Sequence, residues 1–150
     1  MRYIAFVGRQ LFSILFIVAS ANHFNPQTIA AAARHGVPAA SVLVPLSGLM
    51  ALMGGLSILV GLHARFGAAL LVVFLIPVTF LMHNFWSLVD PSLIEVEKAM
   101  FMKNLTMLGG ALLIAYFGAG PVSFDALIER HLTDRRPVIN QQPLTASTKS

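Results

Sequence analysis

Cysteine is absent from this 150-residue chain. That excludes disulfides, thiolate metal sites and thiol redox chemistry in the chain itself. Charge is nearly as scarce: 11% of residues are charged, and only six are Asp or Glu. A soluble domain of this size could not hide an apolar fraction of 57% behind so few charges. Ten Lys and Arg give a formal net charge of +4. In a soluble protein such a balance suggests nucleic acid, but here the basic residues flank long apolar runs, which argues for membrane orientation and against a nucleic-acid partner.

What is present is hydrocarbon. Mean hydropathy is +0.78, and residues 39–62, 66–82 and 104–124 are three long, almost uncharged runs. Each reaches or approaches the ~20 residues needed to cross a ~30 Å hydrocarbon core as a helix. The expected fold is therefore all-α, an integral membrane four-helix bundle with spans near residues 4–22, 39–62, 66–83 and 99–117. His63-Ala64-Arg65 is too short for anything but an antiparallel hairpin between the second and third spans. The stretch from Thr28 to His35 predicts a short interfacial helix closed by Gly36 and Pro38. Asp90-Pro91 predicts an N-cap followed by proline at the first helical position, with Ser92 and Glu95 adding a weak capping box. The fourth helix is thus expected to start near residue 91, before it enters lipid.

After Gly118, Gly120 and Pro121, Ser123 is placed to cap a short amphipathic helix. Phe124, Leu127, Ile128 and Leu132 share one of its faces. Residues 126–150 are expected to be a cytoplasmic amphipathic segment and a polar, disordered tail from Pro137 onward. Arg2, Arg9, Arg65, Arg130, Arg135, Arg136 and Lys149 fall on one side, against Arg34, Lys98 and Lys103 on the other. Seven against three puts both termini in the cytoplasm. Ala19-Ser20-Ala21 looks like a leader-peptidase site, but the expectation is retention, because cleavage would leave a three-helix remnant.

Polar intrusions in a bilayer need explanations. Arg9 lies about a turn inside the cytoplasmic boundary and is expected to snorkel to the headgroups. The four-helix topology brings Asn22, His23, His83, Asn84, Lys103 and Asn104 to one level on the periplasmic side, with Trp86 and Phe85 at headgroup depth and Glu95, Glu97 and Lys98 beside them. A lysine beside lipid needs a counter-charge, from Glu97 or a ligand, and could clamp an anionic or carbonyl-bearing head group. The cluster admits a small-molecule or quinone pocket, a metal or haem site, or hydrogen bonds that merely tie the helix ends together. Two histidines without a third strong ligand make a poor zinc site, so no metal is assigned. Ser47, Ala51 and Gly55, with Gly48, Gly54, Gly109 and Gly110, suit close helix packing. Pro77 is expected to kink the third span, with Thr79 helping to satisfy the freed carbonyls.

Several short pieces, in order, resemble the DoxX family of small four-helix bacterial membrane proteins. They are Gly8-Arg9 and the LFSILFI that follows, His23-Phe24, Gly36-Val37-Pro38, Pro45-Leu46-Ser47-Gly48 and Gly54-Gly55 running to Gly61. Arg65, His83-Asn84-Phe85-Trp86, MFMKNLTMLGGALL over residues 100–113 and FGAGPVSFD over residues 117–125 complete the set. The resemblance, over roughly residues 4–125, implies a multi-pass bundle in the bacterial inner membrane. It also implies links to quinone-coupled sulfur oxidation or to complexes that handle oxidative stress, though most members have no established activity. Many relatives resemble GLLELLGG where this chain has GLMALMGG, so Ala51 replaces an intramembrane acid. That loss makes proton transfer within the second span less expected.

An accessory or membrane-anchoring subunit of a redox-linked complex is the leading expectation. It would meet lipid, redox-complex partners and possible further copies of itself, with quinone as the one cofactor in view and intrinsic catalysis not expected. The alternatives are a quinol-linked oxidoreductase subunit with its own activity and a small-molecule transporter or permeability factor.

Overall fold

A computed structural model describes residues 2–134; the tail from Pro137 onward lies outside the described residues. Six α-helices follow one another: α1 (Arg2–Asn22), α2 (Pro26–Arg34), α3 (Ala40–Val60), α4 (Ala64–Met82), α5 (Pro91–Phe117) and α6 (Phe124–Asp134). A 3₁₀ turn at Phe85–Ser87 separates α4 from α5. Four helical stretches are long and apolar enough to cross a membrane: Tyr3–Asn22, Ala40–Val60, Ala64–Ser87 and Pro91–Phe117. Their outward faces carry exposed Leu, Ile, Val and Phe, as lipid contact requires.

Local chemistry sets the helix ends. The Asn25 side chain accepts a hydrogen bond from the Gln27 amide (2.9 Å), and Pro26 occupies the first position. This cap starts α2 two residues ahead of the expected Thr28. Asp90 does the same for α5, accepting from the Ser92 amide at 2.9 Å and its hydroxyl at 2.7 Å. Those two bonds hold the Asp90 carboxyl below its ordinary pKa. Ser123 caps α6 by accepting from the Ala126 amide (3.2 Å).

Each long helix packs on its neighbour in the chain: α1 on α3, α3 on α4 and α4 on α5, with α2 laid across α3. The core between them holds Phe16, Ala51, Ile58, Leu71, Phe74, Leu75 and Ala111. Small residues let the backbones approach. A Cβ on Gly54 would lie 2.8 Å from the Gly67 carbonyl oxygen, and a Cβ on Gly67 would lie 2.9 Å from that of Gly54. Without a hydrophobic drive inside lipid, such contact is what makes two helices adhere. Gly110 meets the Phe12 ring of α1, whereas Gly109 faces open space. Pro77 sits inside α4, but Thr79 does not resatisfy the carbonyl that Pro77 orphans. Its hydroxyl donates to the carbonyl of Leu75 (2.6 Å), its own i−4 neighbour.

The α6 end of the bundle is clasped by two charges. Arg9 does not snorkel: it is 5% exposed and donates from its two terminal nitrogens to the carbonyls of Ala119 (3.1 Å) and Val122 (3.0 Å). The guanidinium turns inward because the α5–α6 link offers two backbone acceptors at fork spacing, a better match than a long reach through lipid. Its Nε has no hydrogen-bond partner among the described residues. Asp125 accepts from the amides of His63 (2.7 Å) and Ala64 (3.1 Å), and its own amide donates to the Gly61 carbonyl (2.8 Å). A residue 61 positions downstream thereby caps the N-terminus of α4, where a negative charge also faces the positive end of the helix dipole. Gly61 (φ 72°) turns the chain between α3 and α4 with the Arg9 guanidinium against its Cα, where no side chain would fit.

Candidate functional site

At the opposite end, α2 folds over the mouth between α3 and α4. A small secondary core of Ala32, Ala40 and Val44, joined by Ile29, Val37 and Met82, holds it there. Beneath it lies a cavity of about 360 Å³, at the lower end of the ~300–1,000 Å³ typical of small-molecule sites. Its walls come mainly from α3 (Val44, Ser47, Met50) and α4 (Phe74, Pro77, Val78), and the turn after α1 contributes His23. Pro77, with no amide hydrogen, forms part of the wall.

His23 follows the last residue of α1 and packs its ring on Phe74, with centroids 5.5 Å apart at 62°. It fits only because residue 48 is glycine: a Cβ there would lie 2.4 Å from the His23 Cβ. The ring's Nδ1 is 3.1 Å from the Ala19 carbonyl. A carbonyl can only accept, so Nδ1 carries the hydrogen and Nε2 of the neutral ring carries a lone pair. Ser47 spends its hydroxyl hydrogen on the Val44 carbonyl (2.7 Å).

Of Asn22, His23, His83, Asn84, Trp86, Lys103 and Asn104, the ligand-binding candidates from the sequence, His23 alone lines this cavity. His83 lies just past α4 and pairs through Nδ1 with Glu97 Oε2 of α5 at 2.7 Å, with both side chains partly exposed. Asn84 accepts from the Ser87 hydroxyl through its backbone (2.9 Å) within the 3₁₀ turn. Trp86 joins an aromatic group with Phe80, Phe85 and Phe101, at centroid distances of 6.4, 5.2 and 5.9 Å. Asn22 is exposed at the end of α1. Lys103 is exposed with Nζ 3.2 Å from Met100 Sδ, while its neighbour Asn104 is 4% exposed. The expected single cluster therefore separates into a cavity holding His23 and an α4–α5 tie made by His83 and Glu97. Among the described residues, no group of three or more His, Asp or Glu side chains is placed to hold a metal ion.

Sequence reasoning missed Phe74, Met50 and Val78, since apolar residues in a span look alike whether they face lipid or a hollow. The usable signals were Gly48 and Pro77, a missing side chain and a missing amide hydrogen at one level.

The family model for DoxX matches residues 4–84, which takes in α1 to α4 and ends just past His83. The chain belongs to the DoxX family. The inner membrane protein YqjF of Escherichia coli (strain K12) is 33% identical over 124 residues, covering 83% of this chain and 91% of that one. No solved structure matches this chain significantly. DoxX membership and four apolar helices make this a multi-pass protein of the inner membrane. Ala51, in the second span, is wholly enclosed in the core.

Proposed function

We propose that this DoxX-family protein is an accessory subunit of a redox-linked membrane complex, oriented with both termini in the cytoplasm, and that it holds a quinone-like or lipid amphiphile in the cavity under α2. The observation that carries the reading is the cavity itself: about 360 Å³, walled by apolar side chains, with His23 as its one ionisable lining group. Such a site suits a molecule that is mostly hydrocarbon and bears one polar end. Asn22, His83, Asn84, Trp86, Lys103 and Asn104, first grouped with His23 as ligand-binding, lie outside the cavity lining. Lys103 is exposed and outside the lining, so binding centres on His23.

The test is extraction into lipid nanoparticles without added ligand, followed by mass spectrometry of the retained small molecules. Ser47→Phe places a ring into the cavity and should remove a bound amphiphile, while Lys103→Ala should leave it in place. Identical ligand content in wild type and Ser47→Phe would refute the site. Proteins retained with the wild type under the same conditions identify the complex, and a chain that copurifies with no redox protein would remove the accessory reading.

A further inference from the structure

We infer that the cavity selects amphiphiles whose polar end is a hydroxyl donor (a phenol, a hydroquinone or a long-chain alcohol) over matched molecules that can only accept. The inference rests on the cavity reading above and adds its chemical sense. Hydrogens on two of the polar groups lining the cavity are already committed to backbone carbonyls: His23 Nδ1–H to Ala19 and Ser47 Oγ–H to Val44. What these groups turn to a ligand is lone pairs, the Nε2 of neutral imidazole and the hydroxyl oxygen of serine. Thr28, from α2, is the remaining hydroxyl on the wall and can act either way. Apart from the Thr28 hydroxyl the lining holds no uncommitted donor, so a ligand acceptor buried beside His23 and Ser47 would lose its water with little in return, whereas a ligand hydroxyl has the Nε2 and Ser47 lone pairs as acceptors.

The imidazole is held for this task. Its hydrogen bond to Ala19, the Phe74 ring and the Gly48 backbone hold the ring from three sides, which leaves Nε2 as its uncommitted polar atom. Commitment of Nδ1–H to the carbonyl fixes the tautomer of the neutral ring.

Two compounds of the same shape separate the possibilities: 4-nonylphenol and its methyl ether, 4-nonylanisole. Binding of each is measured to the full-length protein in nanodiscs at pH 8. The phenol should bind roughly three- to tenfold more tightly, the worth of one partly buried hydrogen bond. His23→Phe should keep the ring contact with Phe74 and bind the two compounds alike, and Ser47→Phe should bind neither. Equal binding by wild type, with both compounds lost in Ser47→Phe, overturns donor selection while leaving the cavity as a site. A preference that survives in His23→Phe overturns the role of His23. Binding that Ser47→Phe leaves untouched refutes the cavity itself. If His23→Phe fails to fold, the wild-type pair alone still decides donor selection.

Discussion

Replacing Asp125 with alanine should free α6 from the bundle without disturbing the spans. The wild-type carboxylate accepts two backbone amides, at 2.7 and 3.1 Å, from the first residues of α4 and the turn before it. Removing an N-cap acceptor costs about 0.5–2 kcal/mol, and hydrogen bonds to a charged group are worth about 1.5–3 kcal/mol each. Part of this contact is exposed, and water replaces some of what is lost, so about 2 kcal/mol is the reasonable total. At 1.4 kcal/mol per factor of ten, the detached population of α6 rises roughly 30-fold. Arg130 lies within α6 and is cut by trypsin only when the helix opens. The rate of cleavage there, in nanodiscs with cleaved and intact chains resolved by mass, should rise by that factor in Asp125→Ala. Asp125→Asn keeps one acceptor oxygen and should fall between. Cleavage rates within threefold of wild type for Asp125→Ala would show that the cap does not hold α6.

Gly67→Ala forces a methyl to within 2.6 Å of the Ser57 side chain and 2.9 Å of the Gly54 carbonyl oxygen; it should cost about 1–3 kcal/mol and lower the thermal midpoint in detergent. A double-mutant cycle of His83→Ala and Glu97→Ala should give a coupling of only about 0.5–1 kcal/mol by thermal unfolding, because the pair is partly exposed, and high salt should shrink it. Asp90, whose folded pKa lies below its ordinary 3.8, should protect the first turn of α5 fully above that pH. The protection should vanish as pH falls through the lower folded value, read as faster amide exchange at Ser92, and Asp90→Asn should lose that dependence.

Spans and caps were legible because their rules are local. An apolar run long enough to cross a bilayer leaves few options, and Asp90-Pro91 states a helix start within two residues. Direction around a helix was harder to read. His23 and His83 do occupy one end of the bundle, yet membrane depth says nothing about azimuth, and each residue turns by about 100° from the one before. Lys103 and Asn104 make the point: adjacent in sequence, one is exposed and the other nearly sealed. Arg9 was legible as a charge in the wrong solvent, but whether it reached outward or inward depended on two carbonyls 110 and 113 residues away. The role of Asp125 was not legible, because its amide partners lie 61 and 62 residues earlier, at the start of α4.

The same separation gives the clasp a place in time. Every long helix leans on the one made just before or after it, so the array can grow in the order of synthesis. Contacts of α1 with the α5 region run against that order: Phe12 meets Gly110, and Arg9 reaches the α5–α6 link. Arg9 carries the charge. It is made before its carbonyl acceptors, which lie 110 and 113 residues further along the chain. Until they arrive, the guanidinium has to be kept wet or borrow a lipid phosphate, which holds α1 shallow. Docking of the α5–α6 link then removes that need, so a turn made late in the bundle seats a helix made early.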